Sequence, residues 1–365
     1  MMQFCREMQK PKFQNGEATF QNDLKRRIHQ YFEENRGKFT GNTRLYSKAI
    51  FLVSSMVLLY AIIVFAPIPL WLSAVLCVIL GLNTAAIGFN VMHDGSHGSF
   101  SSRKGINRFA ALSLNLLGGS EYLWNHKHNV IHHSYTNIDG VDDDIDNNPW
   151  FRLSPTQKRR WFHRFQHIYW IILYSVMYFF WIFYLDLVKY FTGKIGDIAY
   201  TKMKPKDHLG FWITKVTHIA LFMVIPIYSV GFGHFLIGYI IFSSVCGFTI
   251  STVFQLAHIV NETEFPSVSE ETGRVENEWA LHQIATTANF ATKSRVVNWF
   301  TGGLNFQVEH HLFPKISHIH YPAISKIVKQ ACKEYNLNYV EFPTLWSAVI
   351  SHVSYLRKMG RPSFA

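Results

Sequence analysis

Charge-free apolar runs alternate with basic, polar segments along this chain, and that alternation sets its outline. From residue 49 to residue 102 there is no lysine or arginine. Residues 49–66 and 70–90 are apolar and are separated by Pro67-Ile68-Pro69. A helix of about 20 residues crosses the hydrocarbon core of a bilayer, so these runs predict two spans joined by a tight turn. The prolines sit where a helix must break in any case. Residues 216–230 and 234–257 are apolar around Gly231-Phe232-Gly233 and predict a second hairpin.

Residues 165–185 fit this scheme less simply. They carry no formal charge over 21 positions, which is long enough to span, yet ten of the 21 are aromatic. Rings that can stay half wet favour the membrane–water interface. Arg159, Arg160 and Arg164 precede the run, as in a helix lying in the membrane plane.

The polar segments are 1–47, 91–164 and 258–365. In the first, residues 20–39 read as a short amphipathic helix ended near Gly37, expected to be part of a solvated arm. In the second, 109–117 is apolar but too short to cross, and is expected at the interface. In the third, 322–335 and 345–356 read as helices, the former with Ile324, Ile327, Val328 and Ala331 on one face. The expectation is an all-α integral membrane fold with two transmembrane helical hairpins (four spans), an interfacial helix and a cytosolic helical cap. The divisions are an N-terminal arm (1–47), a membrane domain (48–257) carrying the insertion 91–164, and a cap (258–365).

Composition agrees. The chain is 48% hydrophobic and 16% aromatic, with a formal charge of +11. The positive charge lies in loops flanking apolar runs, which points to the positive-inside pattern and to anionic lipid heads rather than nucleic acid. Cys5, Cys77, Cys246 and Cys332 show no paired spacing, so no disulfide framework is expected. The first 47 residues are polar and show no secretory signal, which predicts a cytosolic N-terminus and, by hairpin parity, a cytosolic C-terminus and cytosolic histidines.

The chemistry sits in three histidine boxes: His93-Asp94-Gly95-Ser96-His97, His128-Asn129-Val130-Ile131-His132-His133, and Gln307-Val308-Glu309-His310-His311. Imidazoles four apart on a helix share a face and can reach one ion, and an adjacent pair can serve two ions, one each. A single histidine is ordinarily a surface or hydrogen-bonded core residue. Seven in three metal-spaced clusters on one membrane face are a metal site. They are too many for one ion, and a closed zinc site usually recruits cysteine. Two redox ions beside a bilayer point to oxygen chemistry on a hydrocarbon; composition does not choose iron over copper. If all boxes share one site, an even number of spans separates His133 from His258, and 165–185 does not cross.

At this point the chain resembles the membrane fatty acid desaturases. The resemblance covers about residues 45–355 and rests on Trp124-x-x-x-His128-Asn129-x-x-His132-His133-x-Tyr135-Thr136-Asn137 and on Gln307-Val308-Glu309-His310-His311-Leu312-Phe313-Pro314. It implies a di-iron centre held by His93, His97, His128, His132, His133, His310 and His311, with O2 as co-substrate. It also implies an added ligand at His258, at the exit of the second hairpin. Gln307 stands where many members have histidine, as in front-end desaturases, and its amide oxygen is a candidate weak ligand. Asp94, Glu309, His126, Asp144 and His282 are candidates to support the ligands from behind. His318 and His320 are expected at the surface. The implied partners are a fatty acyl-CoA or acyl-lipid, membrane lipid, and a separate electron donor of cytochrome b5 or ferredoxin type, since no His-Pro-Gly-Gly motif is present. The rival readings are a hydroxylase on the same scaffold and, more remotely, a metal-handling membrane protein. The latter predicts charged ligands within the spans, which carry none.

Overall fold

The computed structural model describes residues 11–14, 19–35, 37–146, 149–269 and 271–362. Five helices among them are long and apolar enough to cross a membrane: α2 (Thr43–Phe65), α3 (Leu70–His97), α4 (Trp161–Thr192), α5 (Pro205–Val230) and α6 (Phe232–His258). They follow α1 (Thr19–Glu34) and precede α7 (Gln307–Leu312), α8 (Tyr321–Glu334) and α9 (Leu345–Met359). Three two-residue strand pairs and one isolated bridge, Val268 to Val275, make up the β-structure among the described residues, so the expected helical class holds at that level.

The hairpin turns form where the sequence breaks its own helices. Asn42 caps α2 by accepting from the backbone N–H groups of Arg44 and Leu45, and Pro69 starts α3. Gly231, at φ +81°, turns α5 into α6. Helices α3 and α6 both end in candidate ligands, the box residues His93 and His97 on one and His258 on the other. Side chains of α2, α3 and α6 outside the bundle remain apolar, as with Phe51, Leu58, Ile79 and Ile240. That is the surface a helix presents to lipid.

Helix α4 contains the aromatic run 165–185. One continuous helix extends past it at both ends. Both ends bond the same neighbourhood. His163 Nε2 lies 2.8 Å from the Pro149 carbonyl, Gln166 Nε2 donates to Arg152 O, and Lys189 pairs with Asp143 at 2.6 Å. Ile168, Ile171, Ile172 and Val176 are exposed along it.

The N-terminal helix departs from the expected solvated arm. Phe20, Leu24, Ile28 and Phe32 of α1 are buried in one cluster with Ile324, Val328 and Ala331 of α8. An apolar stripe of that width is buried more favourably against a second stripe than left in water. Lys12–Phe13 adds a parallel strand to Arg274–Val275, and the Phe13 ring stacks on Tyr135. Cys5 lies outside the described residues; Cys77, Cys246 and Cys332 are free and buried.

Two glycines permit the approach of box 1 to its neighbours. A Cβ on Gly95 would lie 2.6 Å from the Ala111 backbone nitrogen. Gly302, at φ +59°, sits where a Cβ would lie 2.5 Å from the Phe89 carbonyl, one turn before His93. Any side chain there would push the loop leading to box 3 away from box 1.

Candidate metal centre

Local helix geometry decides which histidines meet. Box 1 leaves a π-turn (Gly88–Met92) and continues as an α-turn, so His93 and His97 share a face with ring centroids 4.7 Å apart. Box 2 is itself a π-turn, His126–His132. A π-turn pairs residues i and i+5 rather than i and i+4. It brings His133 Nε2 to 3.2 Å from His128 Nε2 and releases His132 toward another partner set. His128 and His132 still come together in one group with Asp144, while His132 also lies with His258 and His311, and His133 with His310 and His311. Adjacent His310 and His311 of α7 have rings 88° apart; both lie with His133, His310 also with box 1 and His311 also with His132 and His258.

Eight histidines converge. His93, His97, His128 and His310 form one cluster, and His132, His258 and His311 form another. His133 joins His310 and His311 between them. All are buried except His97, which is half-buried. Trp124 stacks on His128 at 4.3 Å and walls the first cluster.

Four of the rings have their Nδ1 fixed by a partner. Nδ1 of His132 lies 3.1 Å from Asp142 and 3.3 Å from Asp144. His258 Nδ1 donates to Thr286 O at 3.1 Å, and His310 Nδ1 meets the Tyr321 hydroxyl at 3.1 Å. His311 Nδ1 donates to Gln283 Oε1 at 2.8 Å. What remains faces inward. The Nε2 atoms of His97, His132, His310 and His311, and Gln307 Oε1, are buried without a hydrogen-bond partner. The Nε2 atoms of His93 and His128 face each other at 3.1 Å. Buried lone pairs crowded in this way are costly unless cations lie among them. Neutral nitrogen donors held by hydrogen bonds from behind suit transition-metal ions, so the residues present fit a two-metal centre.

The protonation states agree. Burial holds His128, His133, His310 and His311 well below the ordinary imidazole range, which keeps their lone pairs available. Burial would lower His132 too, but Asp142 beside it leaves it raised. Burial pushes the Glu309 carboxyl up to about 7 against hydrogen bonds from Asn289 and Tyr339.

Of the candidate supporting residues, Asp144 lies behind His132. Asp94 accepts from the Ser317 hydroxyl at 2.7 Å and lies 3.0 Å from His318 Nδ1, so it ties box 1 to the segment after box 3. His318 is accordingly buried rather than at the surface. Glu309 accepts from Asn289 Nδ2 and the Tyr339 hydroxyl and anchors the α7 backbone. His126 bonds the Tyr122 carbonyl of its own helix. His282 packs against Phe13, while its neighbour Gln283 orients His311. Asp142 is closer to His132 than Asp144 is. The Gln307 amide nitrogen lies 3.0 Å from His258 Nε2.

A channel of about 400 Å³ reaches the first cluster. His93, His128 and Trp124 line its inner wall, Leu114, Leu117, Met177 and Tyr178 its apolar depth, and Lys127, Asp143 and Lys189 its polar end. The two lysines are ion-paired, Lys127 to Asp143 and Asp144 and Lys189 to Asp143.

Fold and site define a class: a helical membrane protein whose buried histidines form adjoining metal-binding clusters at one end of its bundle, beside an apolar channel. The chain belongs to the fatty acid desaturase family, whose profile matches residues 69–343. It is 36% identical over 346 residues to the sn-1 linoleoyl-lipid 6-desaturase of Synechocystis, covering 94% of this chain and 96% of that protein. It is 34% identical to the sn-1 linoleoyl-lipid 6-desaturase of Arthrospira platensis, covering 93% and 92%. It is 36% identical to an acyl-lipid (8-3)-desaturase of Physcomitrium patens, covering 93% and 72%. As a member of this family it is an oxidoreductase that acts as a desaturase.

Proposed function

We propose that this enzyme inserts a double bond into the acyl chain of a membrane glycerolipid, between an existing double bond and the carboxyl end, in the manner of a linoleoyl-type 6-desaturase. The observation that carries the reading is the apolar channel that passes His93 and His128. The similar proteins named as lipid-linked linoleoyl desaturases support the carrier and the position. The ion-paired lysines at the polar end support an uncharged ester over the phosphates of an acyl-CoA.

Two irons are the ions this reading requires. His93, His97, His128 and His310 would hold one, His132, His258 and His311 with Gln307 the other, and His133 lies between them. Bound there, they supply reductive activation of O2 and removal of hydrogen from an unactivated methylene, chemistry no side chain provides. The overall reaction takes one –CH2–CH2– unit, O2, two electrons and two protons to –CH=CH– and two waters. The electrons come from a carrier of cytochrome b5 or ferredoxin type. The protein's own part is positional: Leu114, Leu117 and Met177 hold the chain against water, and Trp124 fixes the His128 ring beside it.

We further propose that the boxes and both termini face the cytosol, with the membrane domain over 48–257 and the cap over 258–365. Helix α4 then lies obliquely under box 2 instead of crossing. From His163 to Lys189 it is roughly 40 Å long by helical rise, yet both ends bond residues 143–152. An even number of spans then separates His133 from His258.

Gln283→Leu is expected to lower iron affinity by about 10–100-fold while the protein remains folded, because His311 loses the acceptor that orients it. Iron content after graded chelation measures it. For the activity itself, a host expressing the chain and fed linoleate is analysed by gas chromatography–mass spectrometry. A product two mass units lighter, with the new bond on the carboxyl side, is expected. A product sixteen units heavier would replace this reading with hydroxylation.

A further inference from the structure

The channel stops short of the helix that lines it. One stripe of α3 side chains faces two spaces in succession. Thr84 and Gly88 line the channel; one turn earlier, Cys77 and Leu80 line a second apolar cavity of about 200 Å³. This cavity lies between the two hairpins, away from the clustered histidines, and is walled by Tyr60, Phe222 and Phe242. A single aromatic layer divides the two spaces. Tyr178 lines the channel and Phe242 the cavity, and their rings meet edge-on at 5.7 Å. The Tyr178 hydroxyl donates to the Leu117 carbonyl at 2.6 Å, which latches the ring across the channel. There is no way round on the α3 side. A Cβ on Gly81 would lie 2.7 Å from the Phe242 carbonyl, so α3 and α6 are already in backbone contact at that level.

We infer that the Tyr178–Phe242 partition is the stop that sets the longest acyl tail the enzyme accepts, and that the cavity behind it is reserve volume a longer tail would fill. The inference rests on the proposed reading of the channel as the acyl site. Thr84 lies about 13 Å below His93 by helical rise, so the partition is remote from the reacting carbons, while Lys127 and His128 at the other end are adjacent. Moving the stop therefore changes which tails fit, not which carbon passes His93 and His128. Apolar pockets distinguish chains by about tenfold or more per methylene, so one ring suffices as a length gauge.

The test uses the full chain expressed in a host supplied with equal amounts of 18- and 20-carbon substrates of matched unsaturation. Phe242→Ala is expected to raise the ratio of 20- to 18-carbon product on the order of tenfold. The new bond should stay at the same carbon counted from the carboxyl. Ala74→Phe, which fills the second cavity, should leave the parent's ratio unchanged, and in the double variant F242A/A74F it should abolish the gain. Phe242→Leu gives the same direction where alanine does not fold. The inference is overturned if a folded Phe242 variant keeps the parent's ratio, if the gain survives A74F, or if the bond moves along the chain. If the parent itself yields no unsaturated product, the functional reading falls and this inference with it.

Discussion

Replacing His310 by alanine is expected to abolish turnover and to strip metal from both clusters. His310 lies in the cluster with His93, His97 and His128, and also in the group with His133 and His311. Its Nδ1 is held by Tyr321, so its Nε2 has one direction to face. Loss of a partner behind a ligand costs about 10–100-fold in affinity, and loss of a ligand shared between clusters should exceed about 100-fold. Product from H310A should fall below detection in the linoleate assay. Iron content should fall well below that of the parent purified alongside it. An H310A protein that keeps full activity would remove α7 from the centre.

The second large effect is structural. Lys215 Nζ is buried and donates to the Gly118 carbonyl, the Ile182 carbonyl and Asp186, each at 2.8 Å. Asp186 also accepts from the Ser120 backbone N–H and the Trp181 indole. This pair joins α4, α5 and the loop before box 2 in an otherwise apolar setting. Lys215→Met leaves a buried carboxylate and two carbonyls without their donor, and is expected to cost about 3–5 kcal/mol. The K215M/D186L double variant should recover a large part of that loss, because an apolar pair leaves no unpaired charge. Thermal unfolding in detergent, read by size-exclusion recovery, measures both. Equal stability of K215M and the parent would mean that water reaches the pair.

What the sequence disclosed follows from how local the signal was. The hairpins are written as long charge-free runs broken by Pro67 and Pro69 or by Gly231 and Gly233, and the structure has helices there. The boxes are local motifs, so their residues could be named and were brought together, His258 included. The approach of His133 Nε2 to 3.2 Å from His128 Nε2 was not legible. It depends on a π-turn that no spacing rule signals. Contacts across long separations were equally hidden. Gln283 on His311 and Asp94 on His318 are ordinary polar residues until the fold places them. The amphipathic pattern of α1 was visible, but its partner α8 lies about three hundred residues away, so a docked helix read as a solvated arm. For α4, aromatic content pointed to the interface, and the structure shows one continuous helix over Trp161–Thr192 that is long and apolar enough to cross.

The proposed activity requires two neighbouring clusters acting as one redox centre. The most direct measurement is the metal content of the purified chain together with that of H258A. Two irons per parent chain are expected, with H258A keeping about one, because His258 belongs to only one of the two histidine clusters. A parent that holds a single ion, or that holds zinc and desaturates nothing, would contradict it.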